Sequence, residues 1–180
     1  YRVPNIGRIL YTWVIDRTFF VLMRSLYTAA PAGAVIWILA NINVAGTSLA
    51  IHVSNWLNPF GLLLGLDGVI LLAYIIAIPA NEIVVPTMMM VYMGVGMMTD
   101  VPDYASLHSL LVGGHGWTLL TAVNLMLFSL LHNPCGTTIL TIYKETNSKK
   151  WAALSVVITL GLAFLVTFTT ASIARLLGWV

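Results

Sequence analysis

Apolar runs of membrane-crossing length dominate this chain, and two of them are broken near mid-length by short polar groups. The breaks are Pro79-Ala80-Asn81-Glu82 and Asn133-Pro134-Cys135-Gly136. Residues 25–42 are apolar over a length that suits a crossing, since about 20 helical residues span the hydrocarbon, and Pro31 is placed to kink that helix. Phe60 to Ile78 is apolar except for Asp67, and Ile83 to Met98 is apolar again, so the first break sits at the tip of a helical hairpin over 60–98. A broken span over 117–142 carries the second break, and a last span covers 151–177.

The connecting segments are polar. Residues 1–24 set Ile6, Ile9, Leu10, Trp13 and Val14 on one side and Arg8, Thr12 and Asp16 on another, the pattern of an interfacial helix. Arg17 and Arg24 then snorkel to headgroups. A short surface helix is expected over Ser48 to Leu57, ending at Pro59. Residues 99–116 read as a loop, and Lys144 to Lys150 as a polar turn. The predicted fold is an all-α integral membrane protein, one domain over 1–180. It has an interfacial amphipathic helix, three spanning helices and one re-entrant helical hairpin with interrupted helices.

Composition narrows the class. With 59% hydrophobic residues, 8% charged and a mean hydropathy of +0.94, the chain lies far from the roughly 25% charged content of soluble domains. Its partner is the lipid bilayer. A net charge of +2 is too small to suggest nucleic acid. No Lys or Arg occurs between Arg24 and Lys144, so positive-inside reasoning puts both basic groups, and with them the N-terminus, in the cytoplasm of a multi-pass protein. Either form of the hairpin keeps the number of crossings even. The re-entrant form is preferred because it buries Glu82 in protein, and Arg175 near an outer end is a mild exception to the charge rule. The start at Tyr1 without a cleavable leader points to a fragment of something longer.

The breaks carry the chemistry. Backbone freed at membrane depth survives only where protein or a solvated cavity surrounds it, and paired interruptions mark transporter sites. Pro79, Pro86 and Pro134 would free the carbonyls of Ile75, Glu82 and Leu130 if those turns were helical. Free carbonyls attract cations, and Glu82 adds a carboxylate. Cys135, the only cysteine, can form no intrachain disulfide. It precedes Gly136-Thr137-Thr138, where a new half-helix can start and favour a thiolate, a ligand for softer transition ions rather than Mg or Ca.

Thr118, Thr121, Asn124, Ser129 and His132 share less than half the circumference of the helix before that break. Most of this stripe reads as glue between helices, with His132 and Asn133, nearest the break, as site candidates beside Asn81. Six of the eight methionines lie between Met88 and Met98 and read as adaptable packing. His108 and His115 have no evident ligand partner. Motifs for nucleotide binding, zinc proteolysis and serine hydrolysis are absent, so no enzyme activity is expected.

The runs Leu66-Asp67-Gly68-Val69-Ile70-Leu71-Leu72 through Pro79-Ala80-Asn81-Glu82-Ile83-Val84, and Phe128-Ser129-Leu130-Leu131-His132-Asn133-Pro134-Cys135 through Lys144-Glu145-Thr146, resemble the C-terminal membrane part of FeoB. FeoB is the bacterial ferrous iron transporter family. The resemblance covers nearly the whole chain and is to a second Gate segment. It implies Fe(II) as the transported ion, an inner-membrane location, and a metal role for Cys135 with Glu82 opposite. It also implies that GTP acts only through a separate G domain. A G domain, a first Gate segment or another copy are then the expected partners, in an oligomer. Gate segments are also similar to elements of concentrative nucleoside transporters, whose hairpin tip bears an acid. That leaves an organic-solute permease, with Asn81, Glu82 and Asn133 binding the solute, and a scaffold without transport as the alternatives.

Overall fold

In the computed structural model, the residues described are 7, 9, 11, 13–44, 46–79, 81–96, 103–132 and 135–178, without the side chains at 16, 17, 20, 21, 24, 25, 28, 29 and 32. A π-helical stretch, Trp13–Phe19, leads into α1, Phe20–Asn41, which takes Pro31 inside and covers the expected 25–42 segment up to Asn41. The two faces expected of the interfacial helix rest on Ile6, Arg8, Leu10, Thr12, Asp16 and Arg17, which lie outside the described residues or side chains. Two-residue strands, β1 (Asn43–Val44) and β2 (Thr47–Ser48), then pair antiparallel before α2, Leu49–Leu63.

Helix α2 does not end at Pro59. It runs through it to Leu63, because Ala50, Ser54 and Gly61 are buried beneath the next helix and that packing outweighs the lost backbone bond. A corner over 64–67 follows and bends the chain by 107° into α3, Gly68–Ile76. The first hairpin arm thus starts at Gly68 rather than Phe60. Asp67 caps it, Oδ1 accepting from the Ile70 N–H at 2.8 Å, the role that short acceptors fill at helix starts.

A turn and a 3₁₀ segment, Asn81–Ile83, connect α3 to α4, Val84–Met93. The arms have 9 and 10 residues, about 14–15 Å of rise each. That is roughly half of a 30 Å hydrocarbon core. Residues 103–116 are largely helical rather than looped: α5, Tyr104–His108, passes into a π-helical turn, Ser109–Gly114. Leu107, Leu110 and Leu111 pack against the core there, so tertiary contact overrides a polar, glycine-bearing composition.

Helices α6, Leu119–Leu131, and α7, Gly136–Thr146, flank the second break, and α8 is unbroken over Lys149–Leu176. Both α6 and α7 lie against α8. The stretch 119–146 and α8 are long and apolar enough to cross a membrane, and the bent α2–α3 pair makes a third crossing if it counts as one. Along α8, Val157, Ile158, Leu165, Phe168 and Ile173 stay exposed while Ala163, Thr167, Ala171 and Ala174 are buried. Large apolar side chains outward and small ones inward is the arrangement of a helix solvated by lipid, where close packing rather than water exclusion holds helices together. The chain is an all-α membrane protein.

Candidate functional site

The two breaks, 50-odd residues apart in sequence, meet in space. The N–H of Gly136, first residue of α7, donates to the Ile78 carbonyl at 2.9 Å. That single bond satisfies one free carbonyl after α3 and one free N–H at the start of α7, the groups a broken helix exposes. Contact is close on both sides, since a Cβ at Gly136 would sit 3.6 Å from the Ile78 oxygen and from the Pro79 Cα.

Cys135 occupies the cap position of α7 and is partly buried. Its Sγ lies 2.9 Å from Thr137 Oγ1 and 3.2 Å from Thr138 Oγ1. Two hydroxyls that can either donate or accept suit both the thiol and the thiolate. On the other side of the break, His132 ends α6 with Nδ1 at 3.1 Å from the Phe128 carbonyl and 3.2 Å from that of Ser129. Tyr74 on α3 reaches this turn, its hydroxyl hydrogen-bonding Ser129 Oγ and donating to the Leu125 carbonyl.

Asn81 and Glu82 lie on the 3₁₀ turn and are exposed in this chain. Pro79 is half-buried, and Pro86 falls in the first turn of α4, where no N–H is needed, so it starts a helix rather than interrupting one. Asn133 and Pro134 lie outside the described residues. Among the described residues, no three of His, Cys, Asp and Glu gather into a group able to hold a metal ion. Met88, Met89 and Met90 are buried in the apolar core, the packing role expected of them.

The polar stripe of α6 mostly holds helices together. Thr118 caps the helix through the Thr121 N–H. Asn124, fully buried, donates to the carbonyls of Leu64 at 2.7 Å and Thr167 at 3.3 Å and accepts from the Thr170 hydroxyl, tying α6 to the corner and to α8. Sequence reasoning did not foresee the corner itself. There Asp67 Oδ2 accepts from the Tyr92 hydroxyl, which takes the indole N–H of Trp117 at 3.0 Å. His115 packs on the Tyr92 ring at 4.3 Å, and His108 is exposed at the end of α5. Glycines at 61, 65 and 68 around one acid were the available signal.

The family model described as Gate, nucleoside recognition, matches residues 22–149. Curated relatives include proteins named Fe(2+) transporter FeoB from Staphylococcus aureus strains MSSA476 and MW2, each 29% identical over 98% of this chain and 26% of their own length. The FeoB of strain COL is 28% identical over the same shares. The chain spans about a quarter of the length of these relatives. No solved structure matches.

Proposed function

Because the chain belongs to the Gate family, as a membrane segment of the FeoB type, we propose that it forms part of the path by which ferrous iron crosses a bacterial inner membrane. The observation that carries this reading is the 2.9 Å bond from the Gly136 N–H to the Ile78 carbonyl, which holds the thiol-bearing break against the acid-bearing one. Cys135, Glu82 and nearby carbonyls then replace water around a dehydrating ion. Few and weak ligands suit transport, since an ion held by a full cage does not leave. The short arms of α3 and α4 fit a hairpin that dips into the hydrocarbon and returns. Exposed Asn81 and Glu82 leave one side for the rest of the transporter, a first Gate segment or a second copy, to close. On this reading the N-terminus lies on the cytoplasmic side, as the positive-inside rule suggests for its basic groups, and GTP enters only through a separate G domain.

In the full transporter, Cys135→Ser and Glu82→Gln are each expected to abolish metal-dependent uptake while the protein stays assembled in the membrane. Unchanged uptake in both sinks the site. The family description favours a second reading, a nucleoside-type permease in which Asn81, Glu82 and Asn133 bind the solute. Hydrogen bonding to a nucleoside gives Cys135 no task, whereas a transition ion does. Anaerobic Fe(II) is therefore expected to protect Cys135 from alkylation, and protection by nucleosides alone decides for the rival.

A further inference from the structure

We propose that His132 offers its Nε2 as an imidazole ligand to the cation at the second break, and that Tyr74 is the positioning residue that holds the ring for this purpose. The proposal rests on the reading of the breaks as a cation path. Both atoms beside Nδ1 are backbone carbonyl oxygens, of Phe128 at 3.1 Å and Ser129 at 3.2 Å. Carbonyls only accept, so Nδ1 carries the hydrogen, and in the neutral ring the lone pair falls on Nε2. A carbonyl behind the N–H of one ring nitrogen is the outer-shell arrangement that orients metal-ligating histidines.

The ring is also clamped. Phe128 stacks on it at 5.6 Å with 15° between planes, and Tyr74 meets it edge-on at 4.6 Å. Tyr74 is itself fixed, against Phe128 at 4.8 Å and through its hydroxyl to Ser129 and Leu125. Bonding the last carbonyls of α6 occupies Nδ1 alone, and a polar atom left unpaired away from water costs free energy. Here Nδ1 is paired, and Nε2 has no partner among the described residues. Cys135 follows three positions on in sequence, across the break, and imidazole and thiolate are both ligands of the borderline softness that suits a divalent transition ion.

The test uses the assembled full-length transporter with anaerobic Co(II) as probe. Pulsed electron paramagnetic resonance of bound Co(II) is expected to show a nitrogen coupling that changes on labelling with [15N]histidine and is lost in His132→Gln. Bound Co(II) without histidine nitrogen in the unaltered protein overturns the proposal, and so does a coupling that survives His132→Gln. In uptake, His132→Gln is expected to raise the half-saturating Fe(II) concentration roughly tenfold, and Tyr74→Leu roughly threefold, with the double variant no worse than His132→Gln alone. Additive losses would remove the positioning role from Tyr74. If Cys135→Ser abolishes uptake and His132→Gln leaves half-saturation unchanged, this inference fails alone. If Cys135→Ser leaves uptake intact, the path itself fails.

Discussion

The corner at 64–67 and the paired breaks at 79–82 and 133–136 are both polar interruptions of apolar helices, yet their hydrogen bonding differs. At the corner, the Gly61 carbonyl receives the N–H of Leu64 and of Leu66, the Leu62 carbonyl receives Gly65 and the Arg175 guanidinium, and the Leu64 carbonyl receives Asn124. Both oxygens of Asp67 are engaged. At the breaks, Asn81 and Glu82 are exposed, and the side-chain partners of the Cys135 thiol among the described residues are the Thr137 and Thr138 hydroxyls of its own first turn. A polar group at membrane depth is therefore no sign of function until its partners are counted. The corner is closed, and the breaks retain unspent capacity.

The largest effect should come from the corner's steric demand. A Cβ at Gly68 would lie 1.8 Å from the Ser54 carbonyl oxygen, and the Gly68 N–H already donates to Asn58 Oδ1 at 3.1 Å. Backbone cannot swing aside as a side chain can. Gly68→Ala should cost about 3 kcal/mol or more, read as loss of folded protein in detergent together with loss of uptake. Asn124→Ala comes next. It takes the buried amide donor away from the Leu64 carbonyl, while the Thr170 hydroxyl keeps the Val166 and Thr167 carbonyls, and should cost about 2 kcal/mol. Thermal unfolding of the solubilised transporter checks both, and an Asn124→Ala protein as stable as the parent would mean that the Asn124 bonds do not hold the corner closed.

These two sites also show what could be read from the chain. Its membrane class, the last span and both proline breaks were legible, because polar residues inside apolar runs stand out by composition. The corner was missed, since Leu62-Leu63-Leu64-Gly65-Leu66 reads as apolar helix and Asp67 as a lone acid within it. Only the backbone shows that Gly65 takes φ +68, a conformation that side chains beyond glycine rarely adopt. The stripe on α6 identified the inward face of Asn124 but not its partners on 64, 167 and 170. The meeting of Ile78 with Gly136 was likewise beyond periodicity, which describes one helix at a time and not which helix ends converge.

Tyr92→Phe acts on the same corner at a smaller scale. It removes the hydroxyl between Trp117 and Asp67 while keeping the ring on His115, and should cost about 1 kcal/mol with uptake retained in proportion to folded protein. The smallest stability change belongs to the open breaks. Cys135→Ser replaces one partner of two threonine hydroxyls with another that can both donate and accept, so its stability should move by no more than about 0.5 kcal/mol. Glu82→Gln, on an exposed turn, should leave the unfolding midpoint where it was. A residue that is cheap to change in stability and costly in flux is serving the passing ion. Were Cys135→Ser to unfold the protein as readily as Asn124→Ala does, the thiol would belong with the corner, as packing and hydrogen bonding, and the contrast between closed and open interruptions would collapse.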